Sequence, residues 1–140
     1  MNDYKIDFAS YPKSADTQVL CDGISDNAKI KKGHKPVSFF AFFIRDENGK
    51  IVGGCNGDIL YGQLYVGQLW ISENLRHQSY GTKLMHLAED YAKKNGARFL
   101  SVNTMDFEAL DFYKKLGFRV EFERHGFDKG SIFYFLRKDL

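Results

Sequence analysis

The residues best suited to chemistry lie in one stretch, Leu69-Trp70-Ile71-Ser72-Glu73-Asn74-Leu75-Arg76-His77-Gln78-Ser79-Tyr80-Gly81-Thr82-Lys83-Leu84. It runs from an apolar strand pattern through a polar loop and a glycine into a helix pattern. A loop that opens straight into a helix presents several backbone N–H groups with no partner in the helix. Those donors and the helix dipole suit phosphate oxygens. Arg76 adds a positive charge, Gly81 permits close approach of the backbone, and Thr82 offers a hydroxyl. Neither GxxxxGK[ST] nor GxGxxG occurs, so the loop is neither a Walker loop nor a dinucleotide fingerprint. Taken alone, the same residues also suit an ordinary strand-to-helix connection.

The elements around the loop follow from periodicity. Tyr4 to Phe8 alternates and reads as a strand, and Ser14 is a candidate cap for a helix to about Ala28 that buries Ala15, Val19 and Ile24. Val37–Arg45 and Lys50–Leu60 flank the hairpin turn Asp46-Glu47-Asn48-Gly49, and Leu64–Ser72 completes a three-stranded meander. From Ser79 to Asn95 the period becomes helical, with Leu84, Leu87, Ala88 and Tyr91 on one side and Gly96 as the stop. A strand at Arg98–Asn103, a helix at Phe107–Leu116 capped by Asp106, and strands at Phe118–Arg124 and Ser131–Lys138 follow. The expected order is β-α-β-β-β-α-β-α-β-β, an α/β fold with a mixed sheet flanked by helices.

Bulk properties set the frame. The 140 residues suffice for one domain, and neither a linker, a repeat nor a charge block divides them. Twenty basic against 18 acidic residues leave a net charge of +2, too small for a nucleic-acid or membrane footprint. No apolar run reaches the length of a membrane helix, and the N-terminus lacks a secretory pattern. Cys21 and Cys55 have neither zinc-site nor disulfide-framework spacing, which fits a cytoplasmic protein with free thiols and no metal.

The phosphate-loop stretch resembles the acetyl-CoA-binding motif of the GCN5-related N-acetyltransferases, [QR]-x-x-G-x-[GA], with Arg76, Ser79 and Gly81 on its three specified positions. Ala109-Leu110-Asp111-Phe112-Tyr113-Lys114-Lys115-Leu116-Gly117-Phe118 resembles the family's A-x-x-[FL]-Y-x-x-x-G-[FY] helix, in the right order and spacing. The resemblance extends roughly from the Val37 strand to the C-terminus. It implies a mixed, mostly antiparallel sheet of six to seven strands, in which a bulge splays a strand pair that binds CoA. It also implies direct acetyl transfer from acetyl-CoA to a primary amine, through a tetrahedral intermediate.

Carried over position by position, the cofactor contacts are Leu69, Trp70, Ile71, Arg76, His77, Gln78, Ser79, Tyr80, Gly81, Thr82, Asn103 and Tyr113. A backbone N–H of the splayed strand would polarise the thioester carbonyl. Tyr113 falls on the general-acid tyrosine, and a phenol of pKa about 10 can protonate a leaving thiolate. Glu73 is the candidate base; Asp58, Glu108 and His125 are alternates, and the strand position where some members carry Glu is Tyr65. Ser79 replaces the motif's first glycine: a left-handed backbone there costs about 1–2 kcal/mol, a helical one nothing. Asp106 stands where many members carry Asn.

The acceptor is expected to be a small-molecule amine. A protein amine and a non-catalytic acyl-CoA-binding or sensory module remain open, and the C-terminal strands leave room for a homodimer.

Overall fold

The computed structural model describes residues 3–140 and divides into two compact units, the residues up to Val37 and those from Ser38 onward. The first unit holds one helix, α1 (Ser14–Lys32). It begins after an extended Lys13, so Ser14 is its first residue rather than its cap. It continues past Ala28 and stops at Gly33, whose φ of 71° suits a residue without Cβ. Val19 and Ile24, expected inside, are exposed, and the buried residue of α1 is Ser25, whose hydroxyl accepts from Val37 N–H at 3.3 Å. Tyr4–Phe8 does not form the expected strand. Alternation describes a chain able to pair, and no ladder takes this segment up.

The second unit is a six-stranded sheet with two helices. Its elements are β1 (Ser38–Arg45), β2 (Ile51–Leu60), β3 (Gln63–Ile71), α2 (Tyr80–Lys94), β4 (Phe99–Met105), α3 (Leu110–Lys115), β5 (Arg119–Arg124) and β6 (Phe133–Asp139). The strand order is β1-β2-β3-β4-β6-β5, antiparallel throughout except where β3 runs parallel to β4. That single parallel pair follows from the crossover through α2. The expected mixed, mostly antiparallel sheet is therefore present.

Local chemistry explains the meander. The Asp46 carboxylate accepts from the N–H groups of Asn48 and Lys50 at 2.9 Å each, and Gly49 closes the turn at φ 80°. The core lies between the sheet and α2. Leu64, Val66, Leu100, Val102 and Leu136 meet Leu84, Met85, Ala88 and Ala92 there. Burying each Leu or Val contributes about 1.5–3 kcal/mol. Tyr91 extends this layer to β1, its ring 5.6 Å from Phe40 and 6.1 Å from Phe42.

One expected element is shorter. Helix α3 starts at Leu110, so Asp106 precedes it in a turn rather than capping it. Side chains hold that turn: Thr104 Oγ1 accepts from Ala109 N–H at 3.1 Å, and Glu108 Oε1 accepts from Met105 N–H at 3.3 Å.

Candidate active site

Strands β3 and β4 start as neighbours and then part. Their parallel pairing runs from Gln63↔Phe99 to Val66↔Val102 and stops, although β3 continues to Ile71 and β4 to Met105. The cause sits in β3's other ladder. Asn56 pairs with Gln68 and Gly57 with Val66, leaving Gly67 as the extra residue of a bulge. Gly57 is needed opposite it, because a Cβ there would strike the Tyr65 carbonyl oxygen. Beyond the bulge, β3 is free on the side facing β4.

The gap opens into a continuous cleft. Its main body, ≈ 730 Å³, runs between Leu69-Trp70-Ile71 and the turn preceding α3, with Arg76, His77 and Gly81 at one end. Ser79, Tyr80 and Thr82 line an extension of ≈ 280 Å³ at that end. At the other, Asn103, Thr104, Glu108 and Tyr113 line one of ≈ 320 Å³ that reaches Gly67. The structure thus gathers most of the sequence-predicted residues. Glu73 and Gln78 are not among those lining it. Glu73 is exposed in a 3₁₀ turn (Glu73–Leu75), and the Gln78 amide donates to the Asn74 carbonyl at 3.2 Å.

The loop end presents hydrogen-bond donors and a positive charge that suit an anion. The first helical bond of α2 runs from Lys83 N–H to the Ser79 carbonyl at 3.0 Å, so the N–H groups ahead of it have no acceptor within the helix. Arg76 is tethered through Nε to the Ile71 carbonyl at 3.0 Å while remaining exposed, which leaves its terminal nitrogens for a ligand. Of the two backbone alternatives for Ser79, the structure has the costly one: φ 66°, left-handed, with His77 likewise at φ 64°. Gly81 has a packing role. A Cβ there would sit 3.3 Å from the Phe112 ring, so its absence lets α3 approach the start of α2.

The far end carries the titratable groups. Tyr113 is 6% exposed, its ring 5.1 Å from Phe112 and 5.6 Å from Phe118. Burial first, then the neighbouring Cys55, Glu108 and Tyr65, pushes its pKa up to about 12. The phenol therefore stays protonated at neutral pH, as a donor must. Cys55 is buried and pushed up to about 11 by desolvation, which makes it a core thiol rather than a nucleophile. Glu108 is the carboxylate that shares this end of the cleft with Tyr113, whereas sequence reasoning ranked Glu73 first. Its only sequence signal was its place five residues before Tyr113. His125 lies far along the chain at the end of β5, paired with Glu123 at 3.3 Å.

Among the described residues, no group of three or more His, Cys, Asp or Glu could hold a metal ion, and no helix is long and apolar enough to cross a membrane.

Comparisons with known proteins agree with this architecture. Residues 6–118 match the model of the acetyltransferase (GNAT) family. The chain is 29% identical over 107 residues to the blasticidin-S acetyltransferase of Streptomyces morookaense, spanning 76% of this chain and 79% of that one. A crystal structure of an Agrobacterium tumefaciens protein assigned to the acetyltransferases superposes with a TM-score of 0.83 at 26% identity, covering 100% of both chains. A Bacillus anthracis protein solved in complex with acetyl coenzyme A shares the fold, with a TM-score of 0.66 at 16% identity over 76% of this chain and 65% of that one. The family match spans most of the sequence and includes the parted strands, the phosphate-loop motif and all of α3, so this chain belongs to the GNAT family of acetyltransferases.

Proposed function

We propose that this chain is an acetyl-CoA-dependent N-acetyltransferase, a single cytoplasmic domain acting on a primary amine of a small molecule. The observation that carries the reading is the divergence of β3 and β4 at the Gly67 bulge, which opens a cleft from the Arg76–Thr82 loop to Tyr113. The residues present fit acetyl-CoA. The loop N–H groups and Arg76 take the pyrophosphate, the backbone groups of Leu69–Ile71 left free on the side facing β4 take the pantetheine amides, and the thioester reaches Tyr113. The small-molecule acceptor draws support from the relative named as a blasticidin-S acetyltransferase.

Each group then has a defined task. The neutral amine nitrogen attacks the thioester carbonyl carbon, whose developing oxyanion takes a backbone N–H of β3. The C–N bond forms and the C–S bond breaks, its electron pair leaving on sulfur. Tyr113 supplies the proton that turns the thiolate into a thiol. Glu108, which lines the cleft beside Tyr113, takes the role of base in place of Glu73 and receives the proton lost by the amine, directly or through water.

Incubation with acetyl-CoA and a panel of primary amines tests this. Free thiol must appear in step with an N-acetylated product identified by mass spectrometry. Binding of acetyl-CoA without product across a broad panel would instead mark a non-catalytic acyl-CoA module.

A further inference from the structure

A second pocket adjoins the cleft, and its lining residues are separate from those given to acetyl-CoA. It measures ≈ 450 Å³, within the range of small-molecule sites, and is lined by Phe39, Phe40 and Ala41 of β1, Asn56, Gly57 and Asp58 of β2, and Tyr65 and Gly67 of β3. Its surface is largely apolar and aromatic, with one carboxylate. Asp58 is half-buried, and among the described residues no salt bridge reaches it. Desolvation raises its pKa, and an arriving cation would relieve that cost. Two features join this pocket to the cleft. Gly67 lines both, offering no side chain as a barrier, and a Cβ placed on it would lie 3.3 Å from the Tyr65 ring. Tyr65 lines this pocket while its hydroxyl accepts from Asn103, which lines the cleft beside Tyr113, at 3.0 Å.

We propose that this pocket receives the acceptor, a primary ammonium borne on a compact aromatic or apolar body, with Asp58 holding the ammonium and Phe39 covering the body. The proposal rests on the acetyltransferase reading and narrows its substrate class. The ammonium is thereby held beside Gly67, where the strand separation exposes the thioester end of the cleft, and it gives up one proton to water to become the neutral amine that attacks. A carboxylate next to the amine would be repelled by Asp58, so α-amino acids are disfavoured. Phenethylamine and phenylalanine differ by that carboxylate alone, and so isolate the effect.

The test uses the full chain, acetyl-CoA and these two amines. Wild type is expected to acetylate phenethylamine with kcat/KM at least tenfold above phenylalanine. Asp58→Asn, which removes the charge with little change of shape, is expected to raise KM for phenethylamine about tenfold or more, the scale of one lost charge-assisted hydrogen bond. Its acetyl-CoA Kd by calorimetry should stay within about twofold of wild type. Phe39→Ala, at a position 60% exposed and so harmless to folding, is expected to raise KM for phenethylamine several-fold but leave that for ethylamine unchanged. A preference for phenylalanine, or KM values for phenethylamine indifferent to both substitutions, overturns the proposal. So does acetyl-CoA binding without turnover of phenethylamine. Failure of wild type to bind acetyl-CoA at all would instead strike the reading of the cleft.

Discussion

Asn103 Nδ2 donates to the Tyr65 hydroxyl at 3.0 Å, across the point where β3 and β4 part. Val66↔Val102 is their last backbone pair, and Asn103 is the next residue of β4. A side-chain bond thus replaces the ladder where it ends and fixes the apex of the cleft, so that the strands open without unzipping further. Two polar groups that a continuous ladder would have no use for are satisfied by each other.

The bulge depends on Gly57, where a Cβ would meet the Tyr65 carbonyl oxygen, a backbone atom that cannot swing away. Gly57→Ala is expected to lower stability by at least about 2 kcal/mol, or roughly 10 °C in Tm for a unit of this size. Calorimetry checks it, and an unchanged Tm would mean that the bulge accommodates a side chain.

Ser79 occupies a left-handed conformation at φ 66° that glycine adopts without Cβ strain. Ser79→Gly should therefore stabilise the fold by about 1 kcal/mol and raise Tm by about 4–8 °C, with acetyl-CoA affinity equal or better. A lower affinity with a higher Tm would show that the hydroxyl itself holds phosphate.

Arg76 is exposed and held in place by the Ile71 carbonyl. Arg76→Ala should weaken acetyl-CoA binding roughly tenfold, the low end for a charge-assisted bond at a solvated site. Titrations at low and high salt should show wild type losing more affinity than the variant. Equal salt dependence would remove Arg76 from the phosphate site.

Much of this architecture was legible from local pattern. The period change at Ser79, the hairpin around Asp46–Gly49 and the motif residues identified the sheet, α2 and most of the cleft. What escaped depends on how the chain turns between elements. Glu73 looked well placed because it ends a strand, but from the 3₁₀ turn Glu73–Leu75 it does not line the cleft, whereas Glu108, equally exposed to solvent, lines it from the turn before α3. The strand pattern of Tyr4–Phe8 states what the segment could pair with, not that a partner edge is offered. A lone glycine inside a strand is a bulge signal, and Gly67 carried it; β2 holds three further glycines, which hid its position.

Tyr113 and Cys55 make a pH prediction. Folding raises both pKa values, to about 12 and about 11, so the fold favours their neutral forms. That contribution is fully present below the unfolded values, about 10 and 9, and is lost as pH rises through the folded ones. Tm should therefore fall progressively between about pH 9 and 12, and Tyr113→Phe should lessen the decline above pH 10. For the reaction, Tyr113→Phe should lower kcat by about 10²-fold at nearly unchanged acetyl-CoA affinity. A loss below about threefold would take the hydroxyl out of the mechanism.

Whether the gap between β3 and β4 holds acetyl-CoA can be followed through the emission of Trp70. It is the only tryptophan in the chain, and it lines the cleft. Fluorescence titration with acetyl-CoA should give a saturable change with one equivalent bound, and CoA should do the same. ADP, which carries the pyrophosphate but no pantetheine arm, should bind far more weakly. An emission unmoved by acetyl-CoA, or an ADP response of equal affinity, would contradict the assignment.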